Sequence, residues 1–210
     1  MRATIASSSS SSSTRSARVF RWRVVDIVVV SVIAVGAGIV FWGWDQASNP
    51  LSAPVTAVLP GFQGIINGPW LFAGVLGALV IRKPGAAIFA ELVAATVSAL
   101  IGTQWGILTL VSGLVQGVGV EIVVALFLYS NWRLYVALLA GAGAGLAESI
   151  LDLTVWYPGS KFGFIVVYTI TTIISGVVVA GLGSWLLVRA LARTGALSRF
   201  AAGREVTGRV

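Results

Sequence analysis

Residues 21–44 read RWRVVDIVVVSVIAVGAGIVFWGW, and this stretch decides the fold class. From Val24 to Trp44 it is apolar or small except for Asp26. About 20 such residues cross a bilayer as one helix. The run exceeds the roughly 7–15-residue apolar core of a secretory signal, and further apolar runs follow, so it reads as a retained first helix. The rest of the chain agrees. Of its 210 residues 57% are hydrophobic and 10% charged, where a soluble domain carries about 25% charge. Mean hydropathy is +0.96. The chain reads as an all-α integral membrane protein.

Upstream lies a polar tail, residues 1–18, with a seven-serine run from Ser7 to Ser13. It has too little apolar surface to offset ordering entropy, so disorder is expected. Arg15, Arg18, Arg21 and Arg23 then lead into the first helix. Downstream, residues 45–62 hold Pro50, Pro54, Pro60 and Gly61 and are expected to be a loop. Five more apolar segments follow, at about 63–81, 84–101, 107–128, 134–153 and 162–188. Short turns such as Arg82-Lys83-Pro84-Gly85 separate them. The reading is one six-helix transmembrane domain over 19–188 and a basic, frayed cytoplasmic tail over 189–210.

Charge placement gives the orientation. With six helices and the N-terminus inside, 13 of the 14 lysines and arginines fall on the inner side and only Lys161 outside. The positive-inside rule therefore selects N-in/C-in. The net charge of +7 is mainly this topology signal, so no nucleic-acid partner is expected.

The chain has no cysteine and no histidine, which removes thiolate or imidazole metal sites and the common catalytic triads. No P-loop, GxSxG elbow or zinc signature is present, so no catalytic residue, metal or cofactor is expected, and any ATP must be hydrolysed by a partner.

Glu91, Glu121, Glu148 and Asp152 fall in or at the ends of helices 3–5, with no lysine or arginine inside those spans. A charge at mid-bilayer costs about 2.5–3.5 kcal/mol on insertion scales and usually marks a ligand or ion path. Thr109, Ser112 and Gln116 form a polar stripe on helix 4, and Glu148 and Asp152 share a face of helix 5. Trp42, Trp44, Trp70, Trp105 and Trp156, with Tyr157, cluster at the expected outer side; Trp22, Trp132 and Trp185 lie at the inner side. An interfacial belt explains most of these. Carboxylates beside indoles also suit a flat, positively charged heterocycle. Small residues recur at four-residue spacing, and on helices 4–6 they read as bundle packing. On helix 1 the pair Ala34 and Gly38 is also able to dock another membrane subunit.

Two motifs carry a family resemblance. Ile81-Arg82-Lys83-Pro84-Gly85-Ala86-Ala87 followed by Glu91, and Gly113-Leu114-Val115-Gln116-Gly117 running on to Gly119 and Glu121, resemble the YkoE-type substrate-binding (S) components of energy-coupling factor (ECF) transporters. The likeness covers roughly residues 20–200. It implies a six-helix S-component bundle in a bacterial cytoplasmic membrane. It also implies a vitamin site for thiamine or its hydroxymethylpyrimidine precursor at the extracellular side, and as partners a transmembrane coupling (T) component and two ATPase subunits. By the same likeness Ala34 and Gly38 face the coupling subunit. Expected ligand contacts are Trp70, Trp105 and Trp156 for stacking, with Glu91, Gln104, Gln116 and Asp152 as polar anchors. Glu121 and Glu148 are read as structural or relay acids. The rival from another class is a solitary proton- or cation-coupled carrier.

Overall fold

The structure is a computed structural model that describes residues 20–203. The serine-rich tail expected to be disordered lies outside the described residues, as does the end of the basic tail. Helix α1 runs Val24–Val58, and two 310 turns, Phe62–Ile66 and Gly68–Leu71, lead into α2, Phe72–Ile81. Then come α3, Ala86–Ile101, α4, Leu108–Leu126, and α5, Leu134–Val155. Helix α6, Phe162–Arg193, contains a π-helical stretch at Gly176–Leu182. Among the described residues no strand occurs. Helices α1, α4, α5 and α6 are long and apolar enough to cross a membrane; α2 and α3 are apolar but shorter.

Helix α2 is the axis of the bundle. Residues Ala73 to Ile81 are all buried, and each of the other five helices touches it. A helix apolar all round belongs in such a position. The outer helices follow one another around it as α1, α3, α4, α5, α6, and the turn Phe62–Ile66 fills the gap between α6 and α1. Glycines set the closest approaches. A Cβ on Gly141 of α5 would fall on the carbonyl of Gly176, at the start of the π stretch, and 2.8 Å from the Gly181 nitrogen.

Three of the acids close helix N-termini, where free N–H groups and the helix dipole favour negative charge. Asp26 forms a capping box with Arg23 at the start of α1 and also accepts from Lys83 Nζ. Glu91 of α3 accepts from the Gly74 N–H in the first turn of α2 at 2.7 Å. Glu121 of α4 accepts from the N–H groups of Gly85 (2.6 Å) and Ala87 (3.2 Å) at the start of α3, and from the Tyr129 hydroxyl at 2.9 Å. Burial, with the Glu121 carboxylate beside it, pushes the Tyr129 phenol up to about 12.

Three sequence expectations need correction. Residues 45–58 are not a loop: α1 continues through Pro50 and Pro54. Each proline removes one helix hydrogen bond, but here the carbonyls left over are on exposed residues. Ser48, Ser52 and Thr56 hydroxyls donate to the Asp45, Asn49 and Ser52 carbonyls nearby. Second, Ala34 and Gly38 do not face a partner subunit. Ala34 is fully buried, and a Cβ on Gly38 would meet the Ala94 carbonyl at 2.6 Å. The pair is consumed by close packing of α1 on α3. Third, residues 189–203 are not a frayed tail. Helix α6 persists to Arg193, and Leu197, Phe200 and Ala202 fold back into the core.

Candidate functional site

The remaining three acids of the described chain face a cavity of about 340 Å3 at one end of the bundle. That volume lies at the small end of the roughly 300–1,000 Å3 typical of small-molecule sites. Its wall comes from the second half of α1, the 310 turns, the C-terminal ends of α3 and α5, and the N-terminal ends of α4 and α6. The wall contains Asp45, Glu148 and Asp152 and no lysine or arginine. The basic residues Arg21, Arg23, Arg82, Lys83, Arg133, Arg189 and Arg193 sit at the opposite helix ends.

Asp45 organises the mouth. Its Oδ1 accepts from Trp70 Nε1 (2.9 Å) and Trp105 Nε1 (3.2 Å), and its Oδ2 from Thr103 (2.7 Å) and Ser98 (3.4 Å). The residue is 1% exposed. Four indoles run edge to face across this side: Trp44 to Trp70, Trp70 to Trp105 and Trp105 to Trp156, with ring centroids 6.4, 6.3 and 5.3 Å apart. Such contacts hold each ring at a fixed tilt.

Asp152 anchors the far wall. Its Oδ2 accepts from the Tyr168 hydroxyl (2.5 Å) and Asn67 Nδ2 (3.1 Å), and Asn67 also donates to Tyr168 at 2.9 Å. Asn67 reaches this position because Gly64 and Gly68 lay the irregular segment flat on α6. A Cβ on Gly64 would meet Thr171 Oγ1 and the Tyr168 carbonyl at 2.6 Å. Between the two anchors, Thr109, Ser112 and Gln116 line the cavity from α4, and Glu148 lines it from α5. Glu148 Oε2 and Thr109 Oγ1 are buried without a hydrogen-bond partner among the described residues.

The structure thus brings Trp70, Trp105, Trp156, Gln116 and Asp152 to one cavity, together with Glu148. It does not bring Glu91 or Gln104 there. Glu91 is fully buried against α2, outside the wall. Gln104 sits behind the mouth, accepting from Asn49 Nδ2 at 2.6 Å and donating to the Asp45 carbonyl at 3.4 Å. Glu121 lies at the other end of the bundle, on the N-terminus of α3. Asp45, Asn67 and Tyr168 are absent from the sequence expectations. Asp45 was legible in principle: Val30, Ala34, Phe41, Asp45, Ser48 and Ser52 keep one helical face across the prolines.

Glu91→Gln retains an oxygen for the Gly74 N–H and is expected to change ligand affinity less than about threefold, as one neutral hydrogen bond replaces a charge-assisted one behind the cavity wall. Glu91→Ala removes the cap of α2 and is expected to cost about 1–3 kcal/mol of stability. Thermal melting in detergent beside a ligand titration checks both; a large affinity loss in the glutamine variant would return Glu91 to the ligand.

Residues 25–147 match the family model described as "ABC-type cobalt transport system, permease component". The putative HMP/thiamine permease protein YkoE of Bacillus subtilis (strain 168) is 35% identical over 189 residues, covering 88% of this chain and 92% of the relative. A crystal structure of an S-component of an ECF transporter superposes with a TM-score of 0.82 at 33% identity, covering 90% of this chain and 95% of that one. The word cobalt finds no support in the cavity. Among the described residues no three metal-ligating side chains converge, and the chain lacks histidine and cysteine.

Proposed function

The chain belongs to the YkoE family of ECF-transporter S components, transport proteins rather than enzymes, and from this we propose that it captures thiamine or its hydroxymethylpyrimidine precursor for an ATP-driven importer. The observation that carries the reading is the cavity itself: three carboxylates, no basic residue and a tilted row of indoles. Thiamine is a flat aromatic cation. Its ring charge suits the carboxylates and the faces of Trp105 and Trp156, and its pyrimidine edge suits the polar wall that α4 and α5 build between them. Asp45 and Asp152 need no ligand charge to be held in place, so the site is built before ligand arrives. Preorganisation of this kind favours tight capture at low concentration.

Six spans with both termini inside are part of the proposal. The cavity lies at the helix ends remote from the arginines, so by the positive-inside rule it opens outward. The membrane is a bacterial cytoplasmic membrane. A T component and two ATPase subunits supply the energy, since the chain has no nucleotide-binding loop of its own.

Titration of the purified protein in detergent with thiamine and then hydroxymethylpyrimidine tests the reading through intrinsic tryptophan fluorescence. Saturable quenching at submicromolar ligand is expected, because three indoles line the cavity. A flat response to both ligands from folded protein would refute capture. Uptake into liposomes by this chain alone would overturn ATP-driven coupling in favour of a solitary carrier.

A further inference from the structure

Among the carboxylates of the cavity, Glu148 stands apart. Asp45 has both oxygens occupied, and Asp152 Oδ2 takes two donors. Glu148 is 8% exposed and its Oε2 has no donor among the described residues. A buried carboxylate oxygen without a donor is costly, and such atoms are rare in folded proteins unless something else completes them. Thr109 Oγ1, on the polar stripe of α4, is in the same condition and lines the same cavity. Ser112 and Gln116 on that stripe already hydrogen-bond to the Glu148 carboxyl group. The arrangement therefore offers one bare carboxyl oxygen and one free hydroxyl in the same cavity.

We propose that Glu148 selects the ligand by accepting a hydrogen bond on Oε2 from an exocyclic amino group of a flat nitrogen heterocycle, with the Thr109 hydroxyl meeting the adjacent ring nitrogen. This rests on the capture reading and adds the specificity residue to it. The chemistry favours an amino-substituted ring edge, a donor beside an acceptor. An edge with a carbonyl in place of the amino group would set oxygen against oxygen. One hydrogen bond to a buried carboxyl oxygen, gained in one ligand and replaced by repulsion in the other, corresponds to roughly 10- to 100-fold in affinity.

The experiment compares thiamine with its 4-oxo analogue, which carries a carbonyl where thiamine has the amino group, on the full chain in detergent. Wild type is expected to prefer thiamine by about 30-fold or more. In Glu148→Gln, whose amide donates as well as accepts, the ratio is expected to fall to within about threefold. If that variant does not fold, Glu148→Asp, which withdraws the carboxylate by one methylene, is read in its place and should show the same loss of preference. A wild type that binds both ligands equally, or a folded variant that keeps the full preference, overturns the role of Glu148 and leaves capture standing. Failure of folded wild type to bind either thiamine or hydroxymethylpyrimidine removes the capture reading, and the assignment of Glu148 with it.

Discussion

Asp45→Ala is expected to weaken capture of thiamine about 100-fold or more while the bundle still folds. Asp45 is buried but lies outside the apolar core that packs α1 on α2 and α3, so the bundle does not depend on it. The mouth of the cavity does. Its carboxylate is the shared acceptor for two indole N–H groups and two hydroxyls drawn from the turn before α2, the end of α3 and the turn after it. Without it, the indole N–H groups of half-buried Trp70 and more exposed Trp105 lose their shared acceptor, at up to about 1–3 kcal/mol each. They relieve this by turning toward water, which breaks the Trp70–Trp105–Trp156 row. A factor of 100 is about 2.7 kcal/mol, within reach of one such rearrangement. Asp45→Asn, which keeps one oxygen for the indoles, should lose about tenfold. Fluorescence titration gives the affinities, and near-ultraviolet circular dichroism reports the indole arrangement. Unchanged binding in folded Asp45→Ala would show that the indole row is not part of the site.

The largest effect on stability is expected at Gly141. In Gly141→Val the branched side chain has to occupy the place where the Gly176 carbonyl and the Gly181 N–H now sit. These are backbone atoms on both sides, so no side chain is able to swing away. Overpacking typically costs about 1–3 kcal/mol; here two helices have to separate along their crossing, and at least about 3 kcal/mol is expected. The measurement is melting in detergent, with yield of monodisperse protein as the coarse readout. The same change at Gly36, which has open space around it, should be nearly silent. Equal melting of the two variants would mean that α5 and α6 are not in close contact in the membrane.

How much of this was legible in the sequence depends on which residues carry the signal. Apolar run lengths gave the last four helical segments to within a few residues, because a buried or lipid-facing helix has no other way to satisfy its backbone; the segment expected at 63–81 is α-helical only over Phe72–Ile81, its first part being two 310 turns. The tryptophans at one end and the polar stripe Thr109, Ser112 and Gln116 marked the cavity, since polar atoms in an apolar helix need partners. Glu91 misled for the same reason in reverse. Its partner is a backbone N–H of α2, a group no side-chain pattern reveals. Asp45 was lost to two prolines that normally end a helix. Ala34 and Gly38 announced a close approach correctly, but spacing alone does not say which helix approaches.

The prolines of α1 also set a waterline. Pro50 and Pro54 have no N–H to give the carbonyls of Gln46 and Pro50, both on exposed residues. In hydrocarbon each such carbonyl would cost several kcal/mol, so the bilayer core has to end before Gln46. From Val24 to that point α1 rises about 33 Å, close to the roughly 30 Å of a hydrocarbon core. One helix therefore gauges the draught of the whole protein. It floats the Asp45–Asn49–Ser52 edge of the cavity at the surface, where a dissolved ligand arrives without entering lipid.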